Sequence, residues 1–201
     1  MSKRKKSRRP APKPLGPAQA VERDERIAAG LIVPFTREEA LIRLLDTSIM
    51  LWFHDWDPLS VHMLGSAAHK TLMDINSKSG QEPWLTRIIG YDKLTLAYDW
   101  LRHASTDLTR VLDFAPQANV TLLAAAITLF EDTFGHRTTY MSILMFRFVL
   151  SLPVANDLQR IAMIELRAKY IPKSVVIEDF AELGRVEFFK KALARFTPPP
   201  S

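Results

Sequence analysis

Small and apolar residues recur at three- and four-residue intervals through most of this chain, and that period predicts helices. Ala40, Leu41, Leu44, Leu45, Ser48, Leu51 and Trp52 form the first stripe. Thr36 and Glu39 have capping-box spacing, so this helix is expected to open at Thr36 and to end near His54. Asp57 suits an N-cap and Pro58 the first helical position, where proline's missing donor costs nothing. The second helix should then reach about Ile75, before the polar run Asn76-Ser77-Lys78-Ser79-Gly80. Short helices are expected over 82–89 and 93–103, and a turn or short helix over 107–112. Asp113-Phe114-Ala115-Pro116 breaks the pattern. Ala118 to Phe134 is apolar on most faces and should be the central helix, stopped by Gly135. Thr138 to Leu152 and Asp157 to Tyr170 follow, and Ile177 to Phe196 forms one helix or two broken near Gly184.

No alternating stretch reads as a half-buried strand, and no Asn-Gly hairpin signal occurs. The expected fold class is all-α: an irregular bundle of about six to eight helices with a disordered basic N-terminal tail. The domain reading is a Pro-rich tail over 1–20, a connector over 21–36, one helical domain over 37–196 and a Pro-rich end over 197–201. Within the connector, 21–29 should form a short helix, and Gly30 to Phe35 an extended, partly buried strap.

Charge separates the tail from the rest. The 201 residues carry 27 Lys and Arg against 22 Asp and Glu. Lys3, Arg4, Lys5, Lys6, Arg8, Arg9 and Lys13 stand in the first 14 residues with no acid, so the remainder has 20 bases against 22 acids. The net positive charge therefore belongs to the tail. Such a tail attracts polyanions by counterion release, and these seven residues are the candidate nucleic-acid contacts; a merely solubilising terminus is the alternative. Pro10, Pro12, Pro14 and Pro17 follow the basic start where a secretory signal would have an apolar run. No apolar run reaches the roughly 18 residues of a membrane span. The expected location is the cytoplasm. Cysteine is absent, which excludes disulfides, thiolate metal sites and a cysteine nucleophile.

Two polar clusters are the candidates for chemistry. His62, Ser66 and His69 share one helical face, because seven residues at 100° each return to nearly the same direction. The imidazoles are then too far apart along the helix to share a metal ion, and ligand pairs on helices are usually spaced by three or four. No metal site or cofactor is assigned. Asp99, Arg102 and His103 lie at three- and four-residue spacings. Asp99 could orient the His103 imidazole, and Arg102 could stabilise a developing negative charge, a set suited to metal-free RNA cleavage. Catalytic candidates are thus His103, Arg102, Asp99, His62 and His69. Each group also has a structural reading: histidines at a helix interface, and an ion pair near a helix C-terminus. His136-Arg137 at a helix junction could hold an anion. Trp52, Phe53, Trp84 and Trp100 read as core, and Trp56 as the least buried aromatic. With only 7 glycines, and no P-loop, Gly-x-Gly-x-x-Gly or His-Glu-x-x-His, phosphate-cradling loops are not expected.

Asp57-Pro58-Leu59-Ser60-Val61-His62 with Ala67-Ala68-His69, then Leu101-Arg102-His103-Ala104, resemble a family of bacterial all-helical proteins without an established activity. Its members carry Asp-Pro-x-x-x-His…Ala-Ala and Asn-x-x-Lys-His-Ala stretches, over a span corresponding to residues 37–152. This chain has Asp99 for the usual Asn and Arg102 for the usual Lys. Ala67-Ala68-His69-Lys70-Thr71-Leu72 is also similar in texture to a helix of HEPN bundles, several of which are RNases of defence or toxin systems. Their motif, Arg followed five positions later by His, is missing: Ile49, Asp57, Leu64, Tyr98 and Glu131 stand at those positions. Two functions are therefore carried forward. One is a non-enzymatic interaction module that binds a protein partner or itself. The other is an HEPN-like metal-independent RNase or related hydrolase.

Overall fold

The structure, a computed structural model, describes residues 16–77, 98, 100, 111–152 and 157–197. Among them there is no strand, and eight helices have both ends in view. These are α1 (Pro17–Ala28), α2 (Arg37–Phe53), α3 (Pro58–Asn76), α4 (Ala118–Phe134), α5 (Thr139–Ser151), α6 (Asp157–Tyr170), α7 (Glu178–Ala181) and α8 (Arg185–Phe196). The chain divides into two compact units, Met1–Thr36 and Arg37–Ser201. Among the described residues no helix is long and apolar enough to cross a membrane.

In the first unit, α1 begins at Pro17, within the stretch read from sequence as tail. Proline at the first position is pre-set for a helix, and the Gly16 N–H donates to Gln19 Oε1 at 3.2 Å. In the strap after it Ile32 is partly buried, whereas Leu31 is 72% exposed and Val33 63%.

In the second unit α4 is the central element. Every residue from Leu122 to Phe130 is buried, so the helix is enclosed on all sides rather than along one stripe. It packs against α2, α3 and α5, and α3 also lies along α2. Gly135 ends α4 in the left-handed region (φ 77°), a conformation glycine takes without steric cost. Thr138 caps α5 by accepting from the Met141 N–H, while its own hydroxyl donates to Asp46 Oδ1 at 2.6 Å. One short link thus closes α4, starts α5 and ties both to α2. The region after Ile177 is two helices, α7 and α8, with Gly184 as the N-cap of the second. Trp52 and Phe53 join the core, and Trp56 is 65% exposed, as the sequence pattern indicates.

The closeness of α3 and α4 depends on Gly65. A Cβ built there would lie 3.0 Å from Leu123 Cδ2 and 3.2 Å from Leu122 Cδ2. Leucine tips can yield a few tenths of an ångström, and alanine also gains helix propensity. Gly65→Ala should therefore stay within about 1 kcal/mol of wild type. Gly65→Val adds two further carbons at the seam and should cost about 1–3 kcal/mol in urea unfolding. A Val variant as stable as the Ala variant would show that the helices are not in close contact there.

Candidate functional site

The start of α3 is built locally. Asp57 accepts the Ser60 N–H at 2.7 Å and the Ser60 hydroxyl as well. Those hydrogen bonds favour the carboxylate and hold its pKa below the ordinary value. Capping fixes where α3 begins and so which residues face inward. Val61, His62, Gly65, Ser66, Ala68, His69 and Leu72 are the buried ones. The histidine face is therefore the core face. His62 is 2% exposed, Ser66 and His69 0%.

His62 meets α4. Its Nδ1 lies 3.0 Å from Asn119 Oδ1, and Asn119 Nδ2 donates to the Pro58 carbonyl at 2.8 Å. The second bond settles the first. With the amide NH2 on Pro58, its oxygen faces the imidazole, so Nδ1–H is the donor and Nε2 carries the lone pair. Nε2 is buried and has no hydrogen-bond partner among the described residues. Phe114 sets the edge of the site, its ring centroid 5.1 Å from the His62 ring at 76°.

The far ends of the two helices are clasped in the same way. Asn76 Nδ2 donates to Thr133 Oγ1 at 2.7 Å. His62–Asn119 and Asn76–Thr133 are both separated by 57 residues. The helices therefore run parallel and keep one register from end to end. That register places Ala126 level with His69. On the opposite flank the buried Ser48 hydroxyl donates to the Val61 carbonyl at 2.9 Å, joining α2 to α3.

Burial governs the chemistry of both rings. Desolvation pushes His69 down to about 4, and it lowers His62 too, partly offset by the bond to Asn119. Both are neutral at pH 7. A neutral imidazole is a competent base only where substrate can reach it, and these two are enclosed within the fold.

The other candidates are dispersed or lie elsewhere. Asp99, Arg102, His103 and the seven basic tail residues fall outside the described residues. His54 bonds the Met50 carbonyl at 2.9 Å, so it caps its own helix. The anion expected at His136-Arg137 is supplied by the chain itself. His136 Nε2 lies 2.7 Å from Glu38 Oε1, and Arg137 Nη1 lies 3.7 Å from Glu131 Oε2. Glu131 also pairs with Lys169 Nζ at 3.0 Å and accepts from the Tyr170 hydroxyl at 3.2 Å. Two cations and a phenol converge on one carboxylate, which fastens the end of α6 to α4. Among the described residues no group of three or more His, Cys, Asp or Glu could hold a metal ion. Sequence reasoning missed Asn119 as the partner of His62. Its one signal was a lone amide in the first turn of an otherwise apolar helix.

No family model matches this chain, and no curated protein and no solved structure matches it significantly.

Proposed function

We propose that this protein is a non-enzymatic helical interaction module of the bacterial cytoplasm. Its folded body takes a protein partner or a second copy, and its basic tail adds non-specific contact with nucleic acid. The resemblance of the Asp57–His62 and Leu101–Ala104 stretches to the all-helical bacterial family belongs to the same proposal. The observation that carries it is the burial of His62 and His69. On that face His62 joins α3 to α4 through Asn119. Trp56, 65% exposed at the corner between α2 and α3, is an aromatic of the type that anchors protein interfaces.

The test compares the full chain with a variant lacking residues 1–14, on single-stranded RNA over a salt series. Retention of the full chain should fall steeply, with a log–log slope of at most roughly −5 for seven phosphate contacts. The truncated chain should not be retained. Equal retention of both would remove nucleic acid from the proposal. The same samples should leave the RNA intact. Cleavage abolished by His103→Ala would replace this reading with the HEPN-like RNase, using His103, Arg102 and Asp99.

A further inference from the structure

The start of α2 and the end of α3 border one cleft of about 430 Å³, lined among the described residues by Arg37, Thr71, Asp74 and Ile75. The link over 54–57 turns the chain back, so α2 and α3 pack antiparallel. The bond from the Ser48 hydroxyl to the Val61 carbonyl sets their register. Equal steps back from Ser48 and on from Val61 bring Arg37 level with Leu72, within a helical turn of Thr71, Asp74 and Ile75. A guanidinium and a carboxylate thus share the cleft from facing helices. Among the described residues neither side chain has an ion pair or a hydrogen bond.

Both charges stand where their own helices disfavour them. Arg37 is the first residue of α2, at the positive end of the helix dipole, and Asp74 lies in the last turn of α3, at the negative end. Neither placement supports the helix that carries it. Toward a ligand, however, side chain and helix end act together. One pole of the cleft attracts an anion and the other a cation. The Thr71 hydroxyl donates to the Ala67 carbonyl at 2.8 Å, which leaves its oxygen to accept. Ile75 packs on the core and gives the cleft an apolar wall.

We propose that this cleft binds a free α-amino acid with an apolar side chain. The ligand's carboxylate takes the Arg37 fork, its ammonium donates to the Asp74 carboxylate and to Thr71 Oγ1, and its side chain lies on Ile75. A simple anion or cation satisfies one pole and is repelled by the other. A zwitterion answers both, because its two charges sit on neighbouring groups. The cleft has the volume of an ordinary small-molecule site. It is separate from the tail and does not depend on the function proposed above.

Titration of the 15N-labelled full chain, followed by 1H–15N correlation at ionic strength fixed with chloride, is the test. The probes are leucine, glycine, 4-methylpentanoate, which lacks the ammonium, and 3-methylbutylamine, which lacks the carboxylate. Leucine should shift the amides of residues 37, 71, 74 and 75 saturably, with a Kd on the order of 1 mM or tighter. Glycine should bind more weakly, and the two single-charge probes should not bind. Arg37→Gln and Asp74→Asn should each weaken leucine binding by roughly tenfold. Both positions are exposed, and each variant removes a charge that its own helix end opposes. Neither variant should therefore melt below the wild-type temperature when no ligand is present. Absence of saturable leucine shifts at those amides, equal binding of glycine or of either single-charge probe, or unchanged binding by either variant would each overturn the site. So would a lowered melting temperature in either variant, which would make Arg37 and Asp74 a structural pair.

Discussion

Phe146→Ala should lower the stability of the second unit by about 3–5 kcal/mol, read as the free energy of urea unfolding. Phe146 is completely buried on α5. Its ring lies 5.1 Å from Phe180 of α7, 5.0 Å from Phe188 of α8 and 5.9 Å from Phe196 at the end of α8. Phe188 in turn stacks on Phe53 of α2 at 6.1 Å. One aromatic layer thus holds four helices, and α7 has Phe180 as its only buried residue. Removing the central ring leaves a cavity that several rigid neighbours must share, so little of it can close. A loss below about 1 kcal/mol would mean that the layer is not packed as described.

Acidification should destabilise the protein through α3. The sign follows from the direction of the shifts. His69 and His62 bind protons less readily in the fold than at the ordinary histidine value of 6.5. The unfolded chain therefore binds more protons below that pH, and stability must fall as pH falls. The contribution is whole above about pH 7 and declines from about 6.5 downward. For His69 the decline continues to about 4 and amounts to roughly 3 kcal/mol when complete. His62 adds a loss of the same sign. Asp46, whose carboxyl burial pushes up despite the Thr138 hydroxyl, contributes in the opposite sense in acid. Urea unfolding at pH 7.5 and 5.0 reads the effect, and His69→Gln should flatten the dependence. A His69→Gln variant with the wild-type slope would assign acid sensitivity elsewhere.

Much of the helix map was legible because its signals are local. Asp57 with Pro58, Gly135 and the unbroken apolar run before it set the limits of α3 and α4, and the observed ends fall within a residue of those expected. The central role of Ala118–Phe134 was legible too, since a helix apolar on all faces has to be surrounded. Partnerships were not legible. Nothing within a helical period says that His62 meets Asn119 or that α3 and α4 run parallel in one register. Those facts depend on residues 57 apart in sequence, and periodicity names a face without naming what covers it. The strap over 30–35 makes the same point: Leu31, Ile32 and Val33 carry one apolar signal, yet Ile32 is partly buried and the other two are exposed. The histidine face was identified correctly as one face. Whether it lined a cleft or a core depended on its neighbours, and at His62 that neighbour is Asn119 of α4.

The central claim is that His62 and His69 are enclosed, neutral residues of α3, and that His62 joins α3 to α4. Long-range 1H–15N correlation of the imidazole nitrogens, followed across pH 5.5–8, tests it most directly. The account requires His62 as the Nδ1–H form throughout the upper part of that range, and His69 with no transition above pH 5.5. A His62 ring carrying its proton on Nε2, or a His69 transition near the ordinary histidine value of 6.5, would contradict it.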